Sequence, residues 1–204
     1  MKVALIDYGM GNLGSVRRAL GELGAEALLA DAPAKLAGAD RIILPGVGAF
    51  GDAMDLLQAG GWVSPLREQA NRGKPLLGIC LGMQLLAARG LEGGTNQGLG
   101  LISGEVVPLT TLGCALRIPH VGWNSVAVRD AASSIMRGIP EGTDFYFVHS
   151  YAFQPSDPAD VVATTAYGVP VPAVVARGNV MGTQFHPEKS SRAGFRLLRN
   201  FLTC

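Results

Sequence analysis

The stretch Leu76-Leu77-Gly78-Ile79-Cys80-Leu81-Gly82-Met83-Gln84-Leu85-Leu86 decides the fold. A short apolar run ends in Gly-x-Cys-x-Gly, and a helical pattern follows at once. This is the shape of a nucleophile elbow, the G-x-S-x-G turn between strand and helix, with sulfur in place of oxygen. The two glycines remove Cβ clashes that would forbid so sharp a turn. The N–H groups that open the helix point at the sulfur and favour the thiolate. Free cysteines are usually buried packing residues, but this setting reads Cys80 as a nucleophile. Cys114 and Cys204 have no such surroundings and read as structural or incidental.

Outward from the elbow, the first half of the chain alternates. Strands are expected at 3–6, 27–30, 41–44 and 76–79. Helices are expected from Leu13 through Leu23 with Gly24 as C-cap, at 52–59, at 63–71 and at 81–89. Short apolar strands alternating with helices imply a parallel sheet covered on both faces. The second half is richer in strand, at 106–109, 116–119, 125–128, 144–151, 161–167, 173–176 and 180–185. A turn falls at Arg177-Gly178-Asn179, and an amphipathic helix closes the chain at 193–202. The fold class is α/β, one domain over residues 1–204, with a mixed, mostly parallel central sheet and helices on both faces. Ligands in such sheets bind beyond the carboxyl ends of the strands. The elbow and Pro45-Gly46-Val47-Gly48 both follow strands, so both reach that edge.

A nucleophile needs a base. Thr183-Gln184-Phe185-His186-Pro187-Glu188 ends a β-rich stretch. In an extended segment residues i and i+2 share a face, so His186 and Glu188 lie on one side, with Pro187 stiffening the link. Cys80, His186 and Glu188 form a candidate Cys-His-Glu triad.

Bulk properties narrow the function classes. The chain has 204 residues, 48% of them apolar, enough for one well-packed domain. With 17 basic and 16 acidic residues the net charge is +1, which offers no electrostatic case for nucleic acid or an anionic membrane. Three widely spaced cysteines with no C-x-x-C pair suggest neither a disulfide framework nor a zinc site, and fit a reducing cytoplasm. The apolar run at 3–6 is too short for a signal peptide, and nothing approaches the roughly 18 apolar residues of a membrane helix.

Three motifs together, Pro45-Gly46-Val47-Gly48, Gly78-Ile79-Cys80-Leu81-Gly82-Met83-Gln84 and Gln184-Phe185-His186-Pro187-Glu188, make the chain resemble the class I, triad-type glutamine amidotransferases. Within that family it is most similar to the glutaminase subunits of histidine biosynthesis. That narrower likeness rests on Asp7-Tyr8-Gly9-Met10-Gly11-Asn12-Leu13, Pro119-His120-Val121-Gly122-Trp123-Asn124, Tyr146-Phe147-Val148-His149-Ser150-Tyr151 and His186-Pro187-Glu188-Lys189-Ser190. The resemblance implies L-glutamine as substrate, hydrolysed to glutamate and ammonia, with no cofactor and no metal. The oxyanion donors are expected at the Leu81 amide and at Val47 or Gly48, in a loop that needs reorienting. Gly46, Gln84, Ser150 and Tyr151 are the expected substrate contacts. The chain shows no second catalytic set, so the ammonia acceptor chemistry falls to a partner. The resemblance makes that partner a (β/α)₈-barrel cyclase subunit in a heterodimer, whose products are imidazole glycerol phosphate and an aminoimidazole carboxamide ribonucleotide. Asn12, Trp123, Tyr146 and Lys189 are the candidate docking residues.

Other readings stay open. Gly9-Met10-Gly11-Asn12-Leu13-Gly14 is a literal G-x-G-x-x-G after the first strand, with Asp31 placed as a ribose-binding acid, so an NAD-binding domain is a rival by pattern. Against it stand Tyr8 before the first glycine and an elbow and triad that hydride transfer does not need. A glutaminase subunit serving anthranilate or pyridoxal phosphate synthesis, another cysteine hydrolase, and a non-catalytic binding module are further alternatives. His120 and His149 read as hydrogen-bonded structural histidines, and Trp123 as an interface aromatic or a core residue.

Overall fold

The apolar strands of the first half divide their side chains between two cores, which is what a sheet covered on both faces requires. The computed structural model describes residues 1–204. Its first half runs β1 (Lys2–Ile6), α1 (Leu13–Glu22), β2 (Glu26–Ala30), β3 (Arg41–Gly46), α2 (Phe50–Ala59), α3 (Val63–Asn71), β4 (Leu76–Cys80) and α4 (Leu81–Leu85). Two short strands follow, β5 (Arg89–Gly90) and β6 (Asn96–Gln97). Then come β7 (Gly104–Pro108), β8 (His120–Val128), β9 (Asp144–His149), β10 (Tyr151–Pro155), β11 (Val161–Ala166), β12 (Pro170–Arg177), β13 (Val180–Thr183) and α5 (Ser191–Thr203).

Ala4, Ile6, Ile42, Leu44 and Leu76 face one core, closed by Phe50, Ala53 and Leu57 of α2 and Leu66 of α3. Val3, Leu5, Ile43, Leu77 and Ile79 face the other, closed by Val16 and Leu20 of α1 and by Leu197, Leu198 and Phe201 of α5. Phe50 and Phe201 are wholly buried, and burying a side chain of that kind stabilises by about 1.5–3 kcal/mol.

The main sheet has nine strands in the order β2-β1-β3-β4-β13-β12-β11-β8-β9. The pairings from β2 to β13 are parallel, and those from β13 to β9 are antiparallel. The sheet is thus mixed, as expected, with the antiparallel half as large as the parallel one. Its opening order, β2-β1-β3-β4, is the flavodoxin-like 2-1-3-4 and not the 3-2-1-4 of dinucleotide-binding halves. The Gly9–Gly14 loop accordingly packs on the loop after β3. A Cβ on Gly11 would sit 3.2 Å from Pro45 Cγ, and one on Gly48 would collide with Met10 Cε. No helix is long and apolar enough to cross a membrane.

Four local expectations are corrected. The helix after the elbow stops at Leu85 instead of continuing to 89. The amides of Leu99, Ile102, Gly100 and Gly98 take the carbonyls of Leu85, Leu86, Ala87 and Ala88, which pulls the chain out of the helix. Residues 116–119 form no strand, since Pro119 has no N–H to offer a ladder. The run at 144–151 is two strands. β9 pairs with β8, and β10 leaves for a second, four-stranded sheet, β10-β7-β5-β6. β13 ends at Thr183 rather than 185.

Candidate active site

The elbow forms because glycines let two backbones touch. A Cβ on Gly82 would collide with the Leu44 carbonyl, and one on Gly78 with the Gly82 carbonyl. The strain falls on Cys80 itself, which has φ 56° and ψ −111°, a conformation that costs a non-glycine residue about 1–3 kcal/mol. α4 is only five residues long, so it offers Cys80 no long helix dipole.

Parallel register gathers the rest. Gly46 lies opposite Cys80 across β3–β4, so the Val47–Gly48 loop emerges beside the sulfur. Thr183 lies opposite Ile79 across β4–β13, so residues 184–186 emerge on its other side. His186 is held by its amide, which donates to the Tyr146 carbonyl at 3.0 Å. Ser190 Oγ donates to the His186 carbonyl and accepts from the Tyr146 amide.

Cys80, His186 and Glu188 are brought together. His186 Nδ1 and Glu188 Oε1 are 2.7 Å apart, with 3% and 1% of their side chains exposed. An extended i, i+2 pair is not how this happens. Pro187–Lys189 is a turn of 3₁₀ helix that folds the carboxylate back onto the ring. Burial alone would lower the His186 pKa, but the Cys80 and Glu188 side chains beside it outweigh burial and raise it to about 9. The imidazolium is therefore the resting form near neutral pH. His186 Nε2 is buried without a hydrogen-bond partner. Cys80 Sγ lies 3.7 Å from the Val148 carbonyl and 3.9 Å from Gln184 Nε2.

These groups open on a cavity of about 340 Å³, whose wall includes Val47, Gly48, Cys80, Leu81, Gln84, Ser150, Tyr151 and His186. The Val47, Gly48 and Ser150 amides give no hydrogen bond to another backbone carbonyl. Gly46 is behind this wall, not on it, with its Cα face against the Tyr8 hydroxyl and the Gly82 amide. Gln84 Nε2 donates to the Tyr151 carbonyl at 3.1 Å and to Gln184 Oε1 at 3.0 Å.

Sequence reasoning missed Glu92 and Gln184. Glu92 is the only carboxylate on the cavity wall. Its Oε2 accepts the Phe50 amide at 2.7 Å and so caps α2. Its sequence setting, Glu92-Gly93-Gly94, signals only a turn. Gln184 is fully buried and bridges Gln84 to the sulfur; a polar residue between Thr183 and Phe185 at the end of an apolar strand was the available signal.

Of the candidate docking residues, Trp123 and Tyr146 pair across β8–β9 with ring centroids 6.1 Å apart, and Lys189 Nζ stands 5.9 Å from the Tyr146 centroid. Asn12 is the N-cap of α1, accepting from the Ser15 amide, and α1 packs against the Pro187–Lys189 turn.

The sequence model of class-I glutamine amidotransferases matches residues 4–204. The chain is 51% identical to the imidazole glycerol phosphate synthase subunit HisH of Moorella thermoacetica, over 98% of this chain and 93% of the relative. It is 48% identical to the subunit of that name from Rhodopirellula baltica, over 98% and 97%. Among solved structures it resembles a glutamine amidotransferase at 23% identity and a TM-score of 0.76, covering 98% and 97% of the two chains. It likewise resembles a chain of PurLQS from Thermotoga maritima at 22% identity and a TM-score of 0.76, covering 99% and 97%. The chain belongs to the class-I glutamine amidotransferase family.

Proposed function

We propose that the chain is the glutamine-hydrolysing subunit of an imidazole glycerol phosphate synthase of histidine biosynthesis. The observation that carries the chemistry is the buried His186–Glu188 pair sharing one cavity with Cys80 on its strained turn. The relatives' names carry the pathway.

In this reading the Cys80 thiolate attacks the side-chain carboxamide carbon of glutamine. The tetrahedral oxyanion is received by the Leu81 amide and by Val47 or Gly48. Losing one such donor costs roughly 10²–10³ in rate in a well-studied protease. The His186 imidazolium gives its Nε2 proton to the departing nitrogen, and the C–N bond breaks to release ammonia and a γ-glutamyl thioester. The neutral imidazole then takes a proton from water as it attacks the thioester. Glutamate leaves, and Cys80 and His186 return to their starting forms. Glu188 holds the imidazole tautomer and stabilises its charged form. At the far end, Glu92 and Gln84 Oε1, which has no protein donor, receive the substrate's α-ammonium group, and the Ser150 amide faces its carboxylate.

The ammonia passes to a (β/α)₈-barrel cyclase subunit. The exposed strip of Val121, Trp123 and Val148 on β8–β9, with Tyr146 and Lys189 beside it, supports docking there, next to the cavity. Three unpaired cysteines fit a cytoplasmic setting.

The test is glutamate release from glutamine by the chain alone and with the cyclase and its nucleotide ligand. Activation by partner and ligand is the expected result and supports an oxyanion loop that must reorient. Full activity of the chain alone would move it to another pathway. No glutamate under either condition would overturn the reading.

A further inference from the structure

Two histidines that the hydrolysis steps leave unused lie between the cavity and the β8–β9 strip. His120 and His149 are buried and face each other in register across β8 and β9. His149 is on the cavity wall. His120 is stacked between Tyr167 and Phe147, at centroid distances of 3.9 and 4.8 Å. One line of contacts joins them. His149 Nδ1 is 2.8 Å from the Tyr151 carbonyl, His149 Nε2 is 2.9 Å from His120 Nδ1, and His120 Nε2 is 3.2 Å from Asn124 Nδ2.

The direction of every hydrogen in that line is forced from its ends. A carbonyl only accepts, so His149 Nδ1 carries the proton that it donates to Tyr151. At the other end the Asn124 amide cannot be turned over. Its Nδ2 donates to the Ala166 carbonyl at 2.9 Å, and its Oδ1 accepts the Ser125 amide at 2.9 Å. Asn124 therefore donates to His120 Nε2, which must be bare. His120 then donates through Nδ1, and His149 Nε2 must be bare to accept. Both rings are neutral Nδ1–H tautomers, each fixed by its neighbour.

We infer that His120 and His149 are positioning residues for glutamine binding, a one-directional hydrogen-bond chain that holds the Tyr151 carbonyl and, through it, the amide of Gln84. The inference rests on the glutamine-hydrolysis reading. The Tyr151 carbonyl accepts from His149 and from Gln84 Nε2 together. That second bond decides which end of the Gln84 amide remains for the substrate. If the carbonyl turns away, Gln84 loses one of its two anchors, and Oε1 is no longer fixed as the acceptor for the α-ammonium group. Charging fits the same picture. Burial lowers both histidines to about 4, opposed at His149 by its bond to Tyr151. A second proton on His149 would set its Nε2–H against the Nδ1–H of His120, and one on His120 would set its Nε2–H against the Asn124 amide N–H.

The full chain labelled with ¹⁵N-histidine tests the tautomers at neutral pH. Both rings should show a pyrrole-like Nδ1 and a pyridine-like Nε2. An Nε2–H or cationic form on either ring would overturn the chain. Glutamate release by the complex tests the positioning. His120→Phe keeps the stacking and deletes both nitrogens. It should raise KM for glutamine about tenfold, with kcat within roughly threefold, because one buried partner is lost. His120→Asn, whose amide nitrogen takes the place of Nδ1, should restore KM to within about threefold. An unchanged KM in His120→Phe, or no rescue by Asn, would refute the role even with the tautomers as expected. No glutamate from the unsubstituted complex would defeat the underlying reading instead, while the tautomers would still be decided by the spectrum.

Discussion

Glu188→Gln removes one negative charge beside His186 and leaves the side-chain volume nearly unchanged. The pair is 2.7 Å apart and almost fully enclosed, so neither water nor salt screens it. Burial pulls the imidazole down, and Cys80 and Glu188 together outweigh it, so that His186 stands at about 9 against an ordinary 6.5. A gap of that size corresponds to about 3 kcal/mol in favour of the imidazolium. A hydrogen bond to a charged group contributes about 1.5–3 kcal/mol, so losing the Glu188 charge lowers the deprotonation of His186 by roughly one to two pH units. The assay is kcat/KM for glutamate release from pH 6 to 10, which reports the free enzyme's essential acid and base. The unsubstituted protein should lose activity through about pH 9, as His186 gives up the proton that ammonia needs. The variant should lose it through roughly pH 7–8, with the plateau down about 10²–10⁴-fold. Stability follows the same proton. The folded-state value is raised above the unfolded 6.5, so the stabilisation is fully present below pH 6.5 and is lost as pH rises through 9. The melting temperature should fall across that window, less steeply in the variant. Superimposable alkaline limbs in the two proteins would refute the account of Glu188.

Three further outcomes are expected. Cys80→Ala should abolish glutamine use at unchanged melting temperature, and its complex should still turn over with added ammonia; loss of ammonia-dependent turnover would contradict the division of labour. Gly48→Ala places a Cβ at φ 107° and against Met10 Cε, so glutamate release should fall about 10²–10³-fold with the fold retained. Full activity there would exclude a conformational demand on the loop. Tyr8→Phe deletes a hydroxyl that is buried with no partner, whose burial costs about 1–3 kcal/mol. The melting temperature should hold or rise, and a fall of several degrees would mean that the hydroxyl is bonded in solution.

What the sequence made legible was local. The first four strands and the helices between them declare themselves because each is a short apolar run or a 3.6-residue period with its own stop signal, such as Gly24 after α1. The errors fall where a distant segment competes for backbone groups. The helix after Cys80 has good helical sequence as far as Ala88, yet the 98–102 segment takes its last carbonyls. The break at Ser150 was more nearly visible. Phe145, Phe147 and His149 alternate inward, and then Ala152 and Phe153 are buried side by side, a slip of phase that marks the change of sheet. β5 and β6 have two residues each, too few to carry any period.

The site divides along the same line. Cys80, His186 and Glu188 were readable because each sits in a local motif with a mechanical reason. The Pro187 turn shows that even a correct pairing can rest on the wrong geometry. Glu92, Gln184 and the His120–His149 line were not readable, because their meaning exists only in register. Glu92 reaches the cavity through a cap on a helix 42 positions earlier in the chain. His120 and His149 are 29 residues apart and become one unit only because β8 and β9 pair as they do. The same register explains why an exposed strip can bear on buried chemistry. The Val148 side chain is part of the outer face, while its carbonyl is 3.7 Å from Cys80 Sγ and its neighbour His149 faces inward. Alternation along one strand thus places the proposed docking surface, the carbonyl beside Cys80 and the histidine chain within two consecutive residues. A partner seated on β9 therefore contacts the very backbone that forms the cavity wall, without any intervening layer of the fold.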